Sequence, residues 1–173
     1  MFMAATEESS VLSARPEKDD FEDKVCRLGD GPPADVMARL HAQKLALCDL
    51  LEEVADSLPQ DLDRARCAEI AATLEPLMRA VHAYEEEVLF PAYVASQGAT
   101  PQADELIARL KAEHIEDVDF ATELAEGLSL VATGSDMPNA DALGYMLRGF
   151  FSAVRRHVAG EREAMAPLLS EKA

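Results

Sequence analysis

The sequence predicts an all-α protein, an antiparallel up-down-up-down four-helix bundle with an N-terminal extension. Apolar residues recur at three- and four-residue spacing in four long stretches, which is the pattern of amphipathic helices. Segments rich in proline, glycine, aspartate and asparagine separate these stretches. Valine, isoleucine and threonine are too sparse, and alternate too rarely with polar residues, to indicate a sheet. Four helices joined by short loops are expected to pack as an antiparallel bundle.

The extension is expected to cover residues 1–32 and the bundle residues 33–171. The extension mixes glutamate, serine, aspartate and proline with few apolar positions, and a Gly-Asp-Gly-Pro-Pro run closes it. Such a composition buries too little apolar surface to order itself alone.

The bundle is expected to contain four helices, over residues 34–58 (A), 61–96 (B), 101–131 (C) and 139–170 (D). In helix A the inward positions are expected to be Met37, Leu40, Leu45, Cys48, Leu51 and Val54. Pro76 and Pro91 should kink helix B, because each proline removes a backbone donor and clashes with the preceding turn.

Charge and cysteine content limit the function classes. The 173 residues carry a net charge of -17, which argues against nucleic acid and anionic membranes as partners. The three cysteines are odd in number and form no CxxC pair, so neither a disulfide framework nor a zinc ribbon is indicated. Without a signal-like start or a long apolar run, the protein is expected to be cytoplasmic. The sequence leaves its oligomeric state open.

The four histidines of the chain fall one in each predicted helix: His41, His82, His114 and His157. Counted from the expected turns between helices, the histidines of neighbouring helices lie at similar distances along the chain. Because antiparallel helices retrace the same length, all four should lie at about one level of the bundle. The spacing also repeats, with 41 residues between the first two histidines and 43 between the last two.

Two of these histidines are followed by glutamate four residues later, in the pairs His82–Glu86 and His157–Glu161. Residues at i and i+4 share one helix face. A single such pair is typical of a solvated face, and a lone histidine is usually a core residue. Four histidines at one level with two carboxylates would be costly to bury unless something bound them. Nitrogen and oxygen ligands of this kind suit iron, manganese or zinc, so the sequence predicts a metal site inside the bundle.

The pattern resembles the hemerythrin family, in its His-His-Glu cation-binding branch, over about residues 34–170. Its most specific stretches are Glu86-Glu87-Val88-Leu89-Phe90-Pro91 after His82, and Met165-Ala166-Pro167 after Glu161. The resemblance implies two non-haem irons with an oxo or hydroxo bridge, although zinc or manganese would also accept these ligands. It implies that Glu86 and Glu161 bridge the metals, that His41 and His82 bind one iron, and that His114 and His157 bind the other.

One position departs from the oxygen-carrying members, which have a further histidine where this chain has Val118. Each metal would then keep an open position, which favours reaction with O₂, nitric oxide or peroxide over reversible O₂ carriage. Asp117 or Glu113 could complete the coordination, but both are expected to face solvent. Two function classes remain. One is a binding protein that senses O₂ or redox state or stores metal. The other is an enzyme acting on these small molecules, or an iron donor in iron–sulfur repair.

Overall fold

The computed structural model describes residues 31–134 and 139–170. The expected extension, apart from residues 31 and 32, lies outside the described residues, so the domain boundary stays a prediction. Within the described ranges every regular element is helical and no strand occurs, which confirms the all-α class.

The helices follow the predicted segments closely. They are α1 (Pro33–Ser57), α2 (Arg64–Tyr84), α3 (Phe90–Gln97), α4 (Pro101–Thr133), α5 (Ala140–Ala164) and α6 (Ala166–Ser170), with a π-helical segment at Glu85–Leu89 between α2 and α3. Predicted helix B is therefore one helical stretch with a π-helical interruption. Predicted helix D is α5 followed by the short α6.

Local sequence signals set where these helices begin. The Asp63 side chain accepts a hydrogen bond from the Arg66 amide at the start of α2. Thr100 caps α4 in the same way through the amide of Ala103. These side-chain oxygens satisfy backbone donors that have no partner within a helix.

The proline expected to interrupt helix B near its end lies just beyond the π-helical segment. Pro91 has no amide hydrogen, and the amide of Phe90 donates to the carbonyl of Glu85, five residues earlier, as in a π-helix. Segments of this kind often occur at functional sites. Pro76, the other expected kink, lies inside α2 without ending it.

Helix α2 packs along α4, and α1 packs along α5, while α4 also contacts α5. One cluster of buried apolar side chains, most of them from α1, α2, α4 and α5, forms the core. The strict up-down-up-down order stays a prediction. None of the helices in the described residues combines the length and apolar character needed to cross a bilayer.

One buried position of α1 differs from the expectation. Leu45, expected to face inward, is half-buried, and the neighbouring Lys44 is fully buried. Cys48 is buried, as expected for a core residue. The core therefore contains a lysine about one helical turn along α1 from His41.

Candidate metal centre

The four histidines are buried in the core, at 1% to 6% exposure, on α1, α2, α4 and α5. Together with two glutamates they form two groups of potential metal ligands. The first group, named here the three-histidine group, consists of His82, Glu85, His114 and His157. The second, named here the two-carboxylate group, consists of His41, Glu85 and Glu161. Because Glu85 belongs to both groups, they adjoin.

The three-histidine group brings its imidazoles into direct contact. The rings of His82 and His114 stack with centroids 3.9 Å apart, and the ring of His157 lies 5.1 Å from that of His114. One ligand atom from each of the four residues lies within 4.8 Å of every other. A single ion could therefore contact all four side chains.

The members of the two-carboxylate group already have hydrogen-bond and ion-pair partners. His41 Nε2 lies 2.9 Å from Glu161 Oε2. The Lys44 ammonium donates to both carboxylate oxygens of Glu85, at 2.8 Å each, and lies 3.9 Å from Glu161 Oε2. Lys44 thus provides a positive charge between the two buried carboxylates.

Buried polar atoms without a partner concentrate at this centre. Among the described residues, these atoms are both ring nitrogens of His82, Nε2 of His114 and His157, Oε1 of Glu161 and Oδ2 of Asp117. Each buried polar atom left without a hydrogen bond costs about 1–3 kcal/mol. Such a concentration is unfavourable for packing alone and is what an ion-binding site requires, since an ion would engage these lone pairs.

Two carboxylates at the edge of the centre, those of Glu86 and Glu113, orient His114 and His157. Nδ1 of His114 lies 2.9 Å from Glu86 Oε1, and Nδ1 of His157 lies 2.8 Å from Glu113 Oε2. An Nδ1–H that donates to a carboxylate leaves Nε2 deprotonated and free to bind a metal. Paired carboxylates of this type commonly support metal-binding histidines.

The environment keeps His82 and His157 neutral. Burial, reinforced by the charge of Lys44, lowers the pKa of His82 far below its usual range. The same two causes lower the pKa of His157 to about 4. Burial alone would raise the pKa of Glu85, but nearby Lys44 outweighs it and holds that pKa below its usual range. At neutral pH His82 and His157 therefore offer uncharged imidazoles and Glu85 an ionised carboxylate, the forms that bind metals.

A protein-family model, the hemerythrin HHE cation binding domain, matches residues 33–169. The chain belongs to the hemerythrin family. No curated protein and no solved structure gives a significant match. The family and the buried histidines and glutamates together identify a hemerythrin-like domain with a centre compatible with cation binding.

The structure brings together five of the six side chains expected as ligands of this hemerythrin domain. Glu86 is the exception, since its side chain is 32% exposed, contacts Lys111 at 3.4 Å, and belongs to neither ligand group. Its neighbour Glu85 is fully buried and belongs to both groups. In a helix both i+3 and i+4 point within about 60° of residue i, so spacing from His82 does not distinguish the two glutamates.

Two further expectations concern residues on either side of His114, the histidine of predicted helix C. Asp117 was expected to face solvent, and this is wrong, because it is 7% exposed. Burial raises the pKa of Asp117 to about 6, although Lys44 works in the opposite direction. The Glu113 side chain is 37% exposed and points to His157. Neither belongs to a ligand group.

Sequence reasoning missed Glu85 and Lys44. A signal for Lys44 was present, since it continues the buried stripe of α1 between Leu40 and Leu47. A lysine inside an apolar stripe indicates a buried anionic partner, because lysine is almost never fully buried unpaired. The sequence contains no comparable signal for Glu85, which stands in a run of three glutamates.

Proposed function

We propose that this hemerythrin-like protein binds non-haem iron at its His/Glu centre and reacts there with O₂, nitric oxide or peroxide. The observation that carries the proposal is the set of unpartnered imidazole nitrogens of His82, His114 and His157 beside the Glu85 carboxylate. Three nitrogens and an oxygen suit iron, and four protein ligands leave positions of an octahedral ion open. Bound iron would supply a redox-active Lewis acid with room for a small exogenous ligand.

The protein's own residues would hold and shield that ion. Three histidines and Glu85 would be the ligands, with Glu86 and Glu113 fixing the orientation of His114 and His157. The ring of Phe90 packs 5.5 Å from that of His114. Burial of this kind limits water to the positions that the ligands leave open.

Two surface clefts offer routes to the centre. One of about 400 Å³ is lined by residues of α2 and α4, including His82, His114 and Val118. The other, of about 370 Å³, is lined by residues of α4 and α5, including His157 and Glu161. Both have the volume to admit a diatomic molecule or peroxide, which favours a reactive centre over a closed structural one.

The outer carboxylates also support the alternative of iron donation or storage without turnover. Glu86 and Glu113 are 32% and 37% exposed, so an acceptor or chelator could reach the groups that orient the ligands. The same centre could sense O₂ or redox state. Turnover separates these functions from catalysis: an enzyme consumes many equivalents of peroxide or nitric oxide per chain, whereas a sensor or store consumes about as many as it has metal ions.

The test is metal analysis with an optical spectrum of the purified protein, repeated after exposure to O₂, nitric oxide and peroxide. We expect iron as the main metal and a spectrum that changes with each added molecule. His82→Ala should lose the metal, whereas Ile115→Ala, at an exposed position on the rim of the same cleft, should keep it. Zinc without iron, or full metal content in His82→Ala, would contradict the proposal.

A further inference from the structure

Lys44 is the least expected residue of the centre. It is fully buried and lies on α1 between His41 and Leu47. Its ammonium has both oxygens of Glu85 at 2.8 Å and an oxygen of Glu161 at 3.9 Å. A cation held by two carboxylates in a protein core occupies the kind of position that a metal ion takes in a carboxylate site.

The two ligand groups differ in what they leave free. In the three-histidine group, all three imidazoles have ring nitrogens without a hydrogen bond, and Nε2 of His114 lies 3.3 Å from an oxygen of Glu85, a member of the same group. In the two-carboxylate group, Nε2 of His41 already contacts Glu161, and both oxygens of Glu85 accept from Lys44. Glu161 Oε1 is the only ligand-type oxygen of that group, as the structure describes it, without a partner. The first group is prepared for a metal ion and the second contains the ammonium.

The net charge of the buried centre also favours one metal ion over two. Three buried carboxylates, Glu85, Glu161 and Asp117, and one ammonium give the centre a net charge of about −2 when the histidines are neutral. One divalent ion would bring that charge to about 0, and two would bring it to about +2 in a core of low dielectric constant. Uncompensated buried charge is costly, so the second ion is disfavoured while Lys44 stays in place.

We infer that Lys44 takes the place of a second metal ion, so that the centre holds one ion in the three-histidine group and one ammonium in the two-carboxylate group. This inference rests on the proposed metal-binding function. It replaces the expected pair of bridged irons with a single iron, and it assigns Glu85 a double role as metal ligand and as partner of the ammonium.

The experiment counts metal ions in the wild type and in Lys44→Met, which removes the charge but keeps an unbranched side chain. Lys111→Met is the matched control, because Lys111 lies 3.4 Å from Glu86 at the exposed edge of the same centre. Each protein is loaded with Fe²⁺ without oxygen, freed of excess metal and analysed for iron per chain. Electron paramagnetic resonance of the oxidised samples distinguishes isolated ferric ions from coupled pairs.

We expect about one iron per chain in the wild type and in Lys111→Met, with an isolated ferric signal. Lys44→Met should bind about two, with the signal of a coupled pair, since Glu85 then regains both oxygens. Lys44→Arg retains the charge and should bind one. Two irons in the wild type, or one in a folded Lys44→Met, would overturn the inference while leaving iron binding intact. No iron in the wild type would instead overturn the proposed function as well. The wild-type count decides the matter even if Lys44→Met does not fold.

Discussion

Exchange of Glu85 and Glu86 for glutamine, one at a time, tests which carboxylate belongs to the core. Glu85→Gln keeps the shape of the side chain but removes the negative charge that holds the Lys44 ammonium through two contacts of 2.8 Å. Removing one partner of a buried ion pair typically costs about 3–5 kcal/mol. Glu161, 3.9 Å from the ammonium, compensates in part, so we expect about 3 kcal/mol, near the lower limit of that range.

For a domain of this size that loss corresponds to a decrease in the melting temperature of about 6–12 °C. Glu86→Gln should cost about 1 kcal/mol or less, because this side chain is partly exposed and its contact with Lys111 lies at the surface. Thermal unfolding of the metal-free proteins, followed by circular dichroism, measures both effects.

Glu85→Gln should also weaken metal binding more than Glu86→Gln does. Loss of an outer carboxylate such as Glu86 weakens metal binding by about 10–100-fold, and loss of the ligand Glu85 should weaken it more. Titration with Fe²⁺ or Co²⁺ gives both dissociation constants. A Glu86→Gln protein that is less stable and binds metal more weakly than Glu85→Gln would refute the assignment of Glu85 and restore the one based on i+4 spacing.

Four further outcomes can be measured on the same protein. The lowered pKa values of His82 and His157 mean that the unfolded chain binds more protons than the folded one as the pH falls from about 6.5 to about 4. The metal-free protein should therefore lose stability as the pH falls through this window. The raised pKa of Asp117 works in the opposite sense. A melting temperature that is constant with pH would contradict this prediction. Asp117→Asn should stabilise the metal-free protein above about pH 6 by about 1–3 kcal/mol, because it removes a charge that burial disfavours, and a loss of stability there would count against that reasoning. Glu113→Gln should weaken metal binding about 10–100-fold with little effect on metal-free stability, and unchanged affinity would show that it does not orient His157. Val118→His adds an imidazole one turn after the helix C histidine, so azide should bind the iron-loaded protein more slowly than in the wild type, and equal rates would mean that the new ring does not reach the metal.

The helices could be predicted from sequence because their limits are local. Pro32 precedes the first helix and Pro33 begins it; the helix spans Pro33–Ser57 against an expected 34–58. The last long helix ends at Ala164, earlier than expected, where the amide of Met165 bonds back to Glu161. Pro167 lies two residues further on, and proline commonly follows a helix end in this way. The signal for that end was therefore also present in the sequence.

The composition of the two candidate groups could be predicted only in part, because it depends on contacts between distant residues. The four histidines share one level of the fold, and helix lengths alone predict this. The choice of Glu85 over Glu86 depends on Lys44, which lies 41 residues earlier in the chain. Periodicity within one helix carries no information about a partner on another helix, so the stripe of α1 could indicate that Lys44 is buried but not that Glu85 is its partner.

The near-repeat of the two halves explains why one centre has two unlike parts. Lys44 lies three residues after His41, and Asp117 lies three residues after His114, the corresponding histidine of the second half. Both side chains are buried, yet they carry opposite charges. Lys44 offsets one of the two carboxylate charges beside His41, whereas Asp117 lines the cleft that contains His157 and has an oxygen without a partner. The negative charge available to an entering cation is therefore reduced at the first position and increased at the second. A sequence with two similar halves thus builds an unsymmetrical centre, because the equivalent positions differ in the sign of one charge.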